Sequence, residues 1–217
     1  MAHEGAQQGR RSILELLTDW LPGRPWYRDG PEGPRPSWAG GFRLDDPEGG
    51  VGIEFMVVSD AGAPYGGASH SGAEEASYLV PMTYRGAPLQ GADEALIGTT
   101  EHGVLGKRWV YDGGHDPVLV GELAALIDGR AKAQAQSVSD QEDRDVRVAY
   151  EGSPFGAAGI GAVTDTESGT GIRLTSGATL RLVRALAPGG DGHVSGVWQR
   201  ADASQVRGHS VTVHPGA

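Results

Sequence analysis

A chain of 217 residues suits one domain, or one with a small appendage, and its net charge of −10, from 28 acidic against 18 basic residues with no dense Lys/Arg patch, argues against a nucleic acid or an anionic membrane as partner. Without cysteine there is no disulfide framework, thiolate metal site or thiol nucleophile, and a polar start followed by no apolar run of about 18 residues leaves a soluble, cytoplasmic chain as the expectation. The 36 glycines and 13 prolines separate apolar residues that still recur in periodic runs, so the reading is loop-rich and folded.

After a start over 1–11 read as disordered, Ser12 and Glu15 have capping-box spacing, and Ile13, Leu17, Trp20 and Leu21 recur at helical period up to Pro22, which cannot continue a helix. From Gly23 to Gly50 the prolines predict an irregular segment, pinned to a core by Trp26, Tyr27, Trp38 and Phe42. Val51, Ile53, Phe55 and Val57 alternate as in a strand; a Gly/Ala/Ser loop to about Glu75 follows. Tyr78, Val80, Met82 and Tyr84 alternate again, and Pro81 predicts a sheet edge or a bulge there.

Leu96 and Ile97 form a short apolar stretch, and Arg108–Tyr111 a compact strand ended by the turn Asp112-Gly113-Gly114. Asp116 and Pro117 suit the N-cap and first position of a helix to about Asp128, closed by Gly129. A polar loop leads to alternation at Val146, Val148 and Tyr150, then to a glycine-rich stretch over 152–169 read as a linker. Beyond it, Ile172, Leu174, Leu180 and Leu182 predict a hairpin turning at Ser176-Gly177, and Val211–Val213 a last strand. Two helices among antiparallel-looking strands give an α+β class.

The densest chemistry lies between Glu101 and Asp116. Histidines carry protons near neutral pH, carboxylates serve as bases or ligands, and aromatic faces stack on sugars. No metal signature fits the spacing of His102, His115 and Asp116, because zinc needs three or four convergent ligands. Asp112 reads as a turn residue and Asp116 as an N-cap. The Gly156–Gly161 run is followed by neither a helix nor Gly-Lys-Ser/Thr, so no phosphate loop is expected, and no serine has an elbow context.

The strings Tyr78-Leu-Val-Pro-Met-Thr-Tyr-Arg-Gly86, Ala95-Leu-Ile-Gly-Thr-Thr-Glu-His-Gly-Val-Leu-Gly-Lys-Arg-Trp-Val-Tyr-Asp-Gly113 and His115-Asp-Pro117, with Asp19-Trp20-Leu21-Pro22 and Arg24-Pro25-Trp26-Tyr27 before them, resemble the N-terminal cap domain of maltokinases and related actinobacterial sugar and aminosugar kinases. The resemblance implies a cystatin-like antiparallel sheet with helices over 12–151. Residues 170–217 resemble the start of a kinase N-lobe, a β-hairpin extension in which Arg181 stands where a phosphate-holding Lys is expected; Arg keeps the charge but not the donor geometry. No His-x-Asp follows Arg181, so the catalytic and magnesium-binding carboxylates of phosphoryl transfer are missing from the tail.

The expectation is a non-catalytic module with no cofactor and no metal. Its partner would be a protein, such as an enzyme of glucan, maltose or trehalose metabolism. The candidate binding face is Arg85, His102, Lys107, Arg108, Trp109, Tyr111 and His115, because aromatics and Arg concentrate at binding hot spots. Two alternatives stay open: a carbohydrate-binding module stacking sugar on Trp109 and Tyr111, and an enzyme of another type using His102, His115 and Asp116.

Overall fold

The computed structural model describes residues 11–64, 75–136 and 141–216; most of the expected disordered start and of the loop before Glu75 lies outside them. Helix α1 spans Ile13–Trp20 and begins with both halves of the expected capping box, Ser12 Oγ accepting from the Glu15 amide and Glu15 accepting from the Ser12 amide. Five longer strands follow: β1 (Pro36–Leu44), β2 (Val51–Pro64), β3 (Glu75–Arg85), β4 (Leu96–His102) and β5 (Gly106–Asp112). Helix α2 (Pro117–Ile127) then leads to two-residue strands β6 (Gln134–Ala135) and β7 (Arg147–Val148). The C-terminal strands are β8 (Ile160–Thr166), β9 (Gly169–Leu174), β10 (Thr179–Leu182), β11 (Ala185–Leu186), β12 (Val194–Gln199) and β13 (Gln205–His214).

All strand pairs are antiparallel and belong to one sheet in the order β4-β5-β3-β2-β1-β12-β13-β10-β9-β8. The sheet also closes on itself. β10 pairs with β13, while β11, two residues further on, pairs with β3 through Ala185↔Tyr78 and Leu186↔Ser77, so hydrogen bonds run round a circuit of β1, β2, β3, β10–β11, β13 and β12. Inside lies the larger core, where Phe42, Phe55, Val57 and Leu79 meet Leu119 and Leu123 of α2 and Leu182, Leu186, Trp198 and Val211 of the C-terminal strands. The opposite face of β2, β3 and β5, with Met56, Val58, Tyr78, Val80, Met82 and Val110, is covered by Leu16, Leu17, Trp20, Trp26 and Tyr27 from α1 and the turns after it. One sheet covered on both faces, with two helices, is an α+β arrangement. No helix among the described residues is long and apolar enough to cross a membrane.

Four sequence expectations change. Pro36–Leu44 is a strand despite its proline and two glycines, and Trp38 in it is 55% exposed, not an anchor, whereas Trp26, Tyr27 and Phe42 are buried. Pro81 sits in a central strand, without an edge. The amide of Leu79 points outward to the Arg184 carbonyl, so Pro81, two residues on, directs its missing N–H to the same side. There β11 has ended and β5, pairing from Met82, has not begun, so no ladder bond is lost. The alternation at 146–150 yields only the two-residue β7, because its partner β12 meets it at Val194↔Val148 and Ser195↔Arg147 alone. Within the glycine-rich stretch over 152–169, Ile160–Thr166 pairs along β9.

Candidate functional site

The Glu101–Asp116 run is mostly strand β5, and a strand sends alternate side chains to opposite faces. Register decides which go where. Trp109 lies opposite Arg85 and Tyr111 opposite Thr83, on the face toward α2; Val110 lies opposite Tyr84, on the face toward α1, and Arg108 shares that side. In the β4–β5 hairpin, Lys107 pairs with Glu101 on the side of Trp109, and His102 closes the ladder opposite Gly106 on the side of Arg108. The candidate face is therefore divided: Arg85, Lys107, Trp109 and Tyr111 on one side of the sheet, His102 and Arg108 on the other, and His115 in the turn beyond β5.

At the inner end of β5 the polar groups are engaged. Asp112 and Arg184 are both buried, and Arg184 Nη2 donates to Asp112 Oδ1 at 2.7 Å and Oδ2 at 2.6 Å. Arg184 Nε donates to Thr170 Oγ1 at 2.8 Å, and its guanidinium lies 4.9 Å from the centre of the Trp26 ring. This set ties β5, β9, the β10–β11 junction and the α1 layer together. Asp112 also accepts from the Gly114 amide, the turn role expected for it.

Asp116 caps α2 by accepting from the Val118 amide at 3.0 Å, and also accepts from Thr83 Oγ1 at 2.7 Å and from Arg85 Nε and Nη2, each at 2.6 Å. Burial alone would raise its carboxyl, but the Arg85 guanidinium, the Thr83 hydroxyl and the Val118 amide together hold it below the ordinary carboxylate range. Such a carboxylate is poorly suited to act as a base. Tyr111 is buried and its hydroxyl accepts from the Leu89 amide, so it offers no stacking face.

His115 and the carboxylates of Asp112 and Asp165 bring one ligand atom each to within 4.8 Å of one another. Residue spacing could not reveal Asp165, which arrives from β8. A dication there would compete with Arg184 for both Asp112 oxygens, and Asp165 already accepts from Thr170, so the ion-pair network accounts for the cluster.

The outer end of β5 is different. Gly106 and Asp112 lie six steps apart along an extended strand, so the hairpin tip lies about 20 Å from the buried end, and His102 does not meet His115 or Asp116. His102 Nδ1 accepts weakly from the amides of Val104 and Leu105 at 3.4 and 3.3 Å, which holds the turn. Val104 is 89% and Leu105 58% exposed. Lys107 Nζ sits 4.9 Å from the centre of the half-buried Trp109 ring. On the α1 side, Arg108, His102 and Leu105 border a groove of 740 Å³ shared with Ile13, Arg43 and Tyr84. Burial, then the neighbouring Glu54 carboxylate, push the Tyr84 hydroxyl far above the ordinary phenol range, so it remains a donor to Glu54 Oε2 at 2.5 Å. Arg181 lies on β10 and donates to the Ser168 carbonyl.

Residues 20–116 match the family described as the maltokinase N-terminal cap domain. The matched span takes in β1 to β5 and ends on the Asp116 cap, so it includes both ends of β5. No curated protein matches the chain.

Proposed function

We propose that the chain is a non-catalytic module of the maltokinase-cap type, which works in the cytoplasm by docking onto a protein partner through the tip of its β4–β5 hairpin. The observation that carries the reading is the pair Val104 and Leu105, two large apolar side chains held in solvent on a turn that His102 braces. Of the neighbouring side chains, Arg108 and Trp109 are of the types enriched at hot spots, and burying Val104 and Leu105 against a partner is favourable by about 1.5–3 kcal/mol for each aliphatic side chain. The cystatin-like arrangement that the resemblance implies agrees with a helix lying on an antiparallel sheet. An enzyme of glucan, maltose or trehalose metabolism is the partner that the cap resemblance favours.

A catalytic reading has less support, because Asp116 is locked by Arg85 and Thr83 and His102 stands about 20 Å away. The test is a photocrosslinking residue placed at Val104 in the native cell, with a second at Glu167 in the turn between β8 and β9 as control. The Val104 probe should capture one discrete protein that the Glu167 probe misses, and Leu105→Asp should abolish that product. The purified chain should release no ADP from ATP with maltose, glucose or glucosamine. Equal products from both probes, or sugar-dependent ADP release lost on mutating a carboxylate, would defeat the proposal.

A further inference from the structure

We infer that the groove between β1 and β12 binds a neutral carbohydrate stacked on Trp38. β1 and β12 share a single register pair, Gly40↔Trp198, and β1 then turns to β6 while β12 turns to β7. A groove of 780 Å³ opens where they part, a size within the about 300–1,000 Å³ of small-ligand sites.

A bulge in β1 turns Trp38 into this groove. Register slips between Trp38↔Val58 and Gly40↔Val57, leaving Ala39 unpaired; Ala39 is buried and Trp38 is exposed. Two glycines make the bulge possible: Gly40 and Gly41 have φ of 152° and 135°, and a Cβ on Gly41 would fall 2.1 Å from the Phe55 carbonyl oxygen. The indole, though in solvent, is held in place. Trp38 Nε1 donates to Gln136 Oε1 at 3.0 Å, Gln136 Nε2 donates to Glu54 Oε1 at 2.5 Å, and Tyr84 OH holds the other Glu54 oxygen. An exposed aromatic face fixed by a chain of three hydrogen bonds is a preorganised platform, since a ligand need not order it.

The walls select the ligand. Glu142, Asp143 and Asp145 line the groove, but Lys132 holds Glu142 at 2.8 Å, Arg207 holds Asp145 at 3.2 Å, and Arg144 stands beside Asp143 in the lining. With two of the three lining carboxylates ion-paired and Arg144 in the lining as well, the groove presents no dense field of one sign, which disfavours both polyanions and polycations. Gln141, Gln199 and Gln205 add amides that donate and accept. Sugar hydroxyls need both kinds of partner, and the C–H face of a pyranose is the apolar surface that fits a flat indole. A short neutral oligosaccharide satisfies platform and walls together.

The test is calorimetric and fluorescence titration with maltotriose, cellotriose and N-acetylchitotriose, with spermidine as the cationic and inorganic phosphate as the anionic comparison. At least one oligosaccharide should bind and quench indole fluorescence, Trp38→Ala should weaken it about tenfold or more while melting like the parent, and Trp38→Tyr should recover part of the loss. Gln199→Ala should weaken binding by a smaller factor without touching Trp38. No binding by any of the three sugars up to about 10 mM, binding indifferent to Trp38→Ala, or Trp38-dependent binding of spermidine alone would each overturn the inference.

Discussion

β5 begins in solvent and ends in the core, and its two ends use the same kinds of side chain for opposite purposes. At the inner end, Asp112 with Arg184, and Asp116 with Arg85, are placed within 2.7 Å of their partners and are removed from any chemistry with a ligand. At the outer end Lys107, Arg108 and His102 make no ion pair among the described residues, and the apolar side chains beside them face water. Charge and aromatic density along a sequence therefore do not by themselves identify a site; what distinguishes the ends is whether each polar group already has its partner inside the fold.

The largest expected effect comes from breaking the inner end. Arg184→Met leaves Asp112 buried without its cation and should cost about 3–5 kcal/mol, because an uncompensated buried charge is worse than none. A chain of this length should then melt about 6 °C lower or more. Replacing both, Arg184→Met with Asp112→Leu, should recover part of the loss. Thermal or urea unfolding decides this, and a single variant melting within about 1 °C of the parent would remove the joint from the account of stability.

Next is Gly113→Ala. The added Cβ would sit 2.2 Å from Leu119 Cδ1 and 3.2 Å from its Cγ, and Leu119 is fully buried against the sheet, so its side chain must repack or α2 must move. Overpacking of this kind costs about 1–3 kcal/mol. A smaller and pH-dependent effect belongs to Asp116. Its folded carboxyl lies below the unfolded value of about 3.9, so its contribution is complete above about pH 4 and is lost as pH falls through the folded value. Asp116→Asn keeps an N-cap but loses the charge, and should cost about 1–2 kcal/mol at pH 7. The gap between parent and variant should narrow below about pH 4; a gap constant down to pH 2 would mean the charge on Asp116 does nothing.

Local physics made much of this legible from residues alone. The Ser12 and Glu15 box, the Asp116-Pro117 start of α2, the φ of 73° at Gly129 and the alternation in β2 and β3 each need only neighbours within a few residues. What stayed hidden depends on partners far along the chain. Arg184 reads as one more polar residue after a hairpin, because its partner lies 72 positions earlier. The prolines before β1 and the glycines within it hide the strand in the sequence, although the glycines are what permit its bulge. Most of the candidate face, His102 to His115, lies close together in sequence, whereas the two-residue period of β5 sends its members to opposite sides of the sheet.

The smallest expected effect tests the outer end. Val104→Asp combined with Leu105→Asp should change stability by no more than about 0.5 kcal/mol, since the native side chains are 89% and 58% exposed and belong to neither apolar core. The turn should survive, because it rests on the ladder pair His102↔Gly106 and on Gly106 at φ 68°, neither of which the substitutions touch. Two carboxylates at the tip would still make burial there unfavourable, so a partner seated on the hairpin should be lost at unchanged melting temperature. Arg108→Ala and His102→Ala should each weaken the same capture by more than about 1 kcal/mol, again with little change in melting. The contrast between the ends of β5 rests on this dissociation of binding from stability. A double variant that melts several degrees lower yet keeps its crosslink would place Val104 and Leu105 with Asp112 and Arg184, as parts of the scaffold.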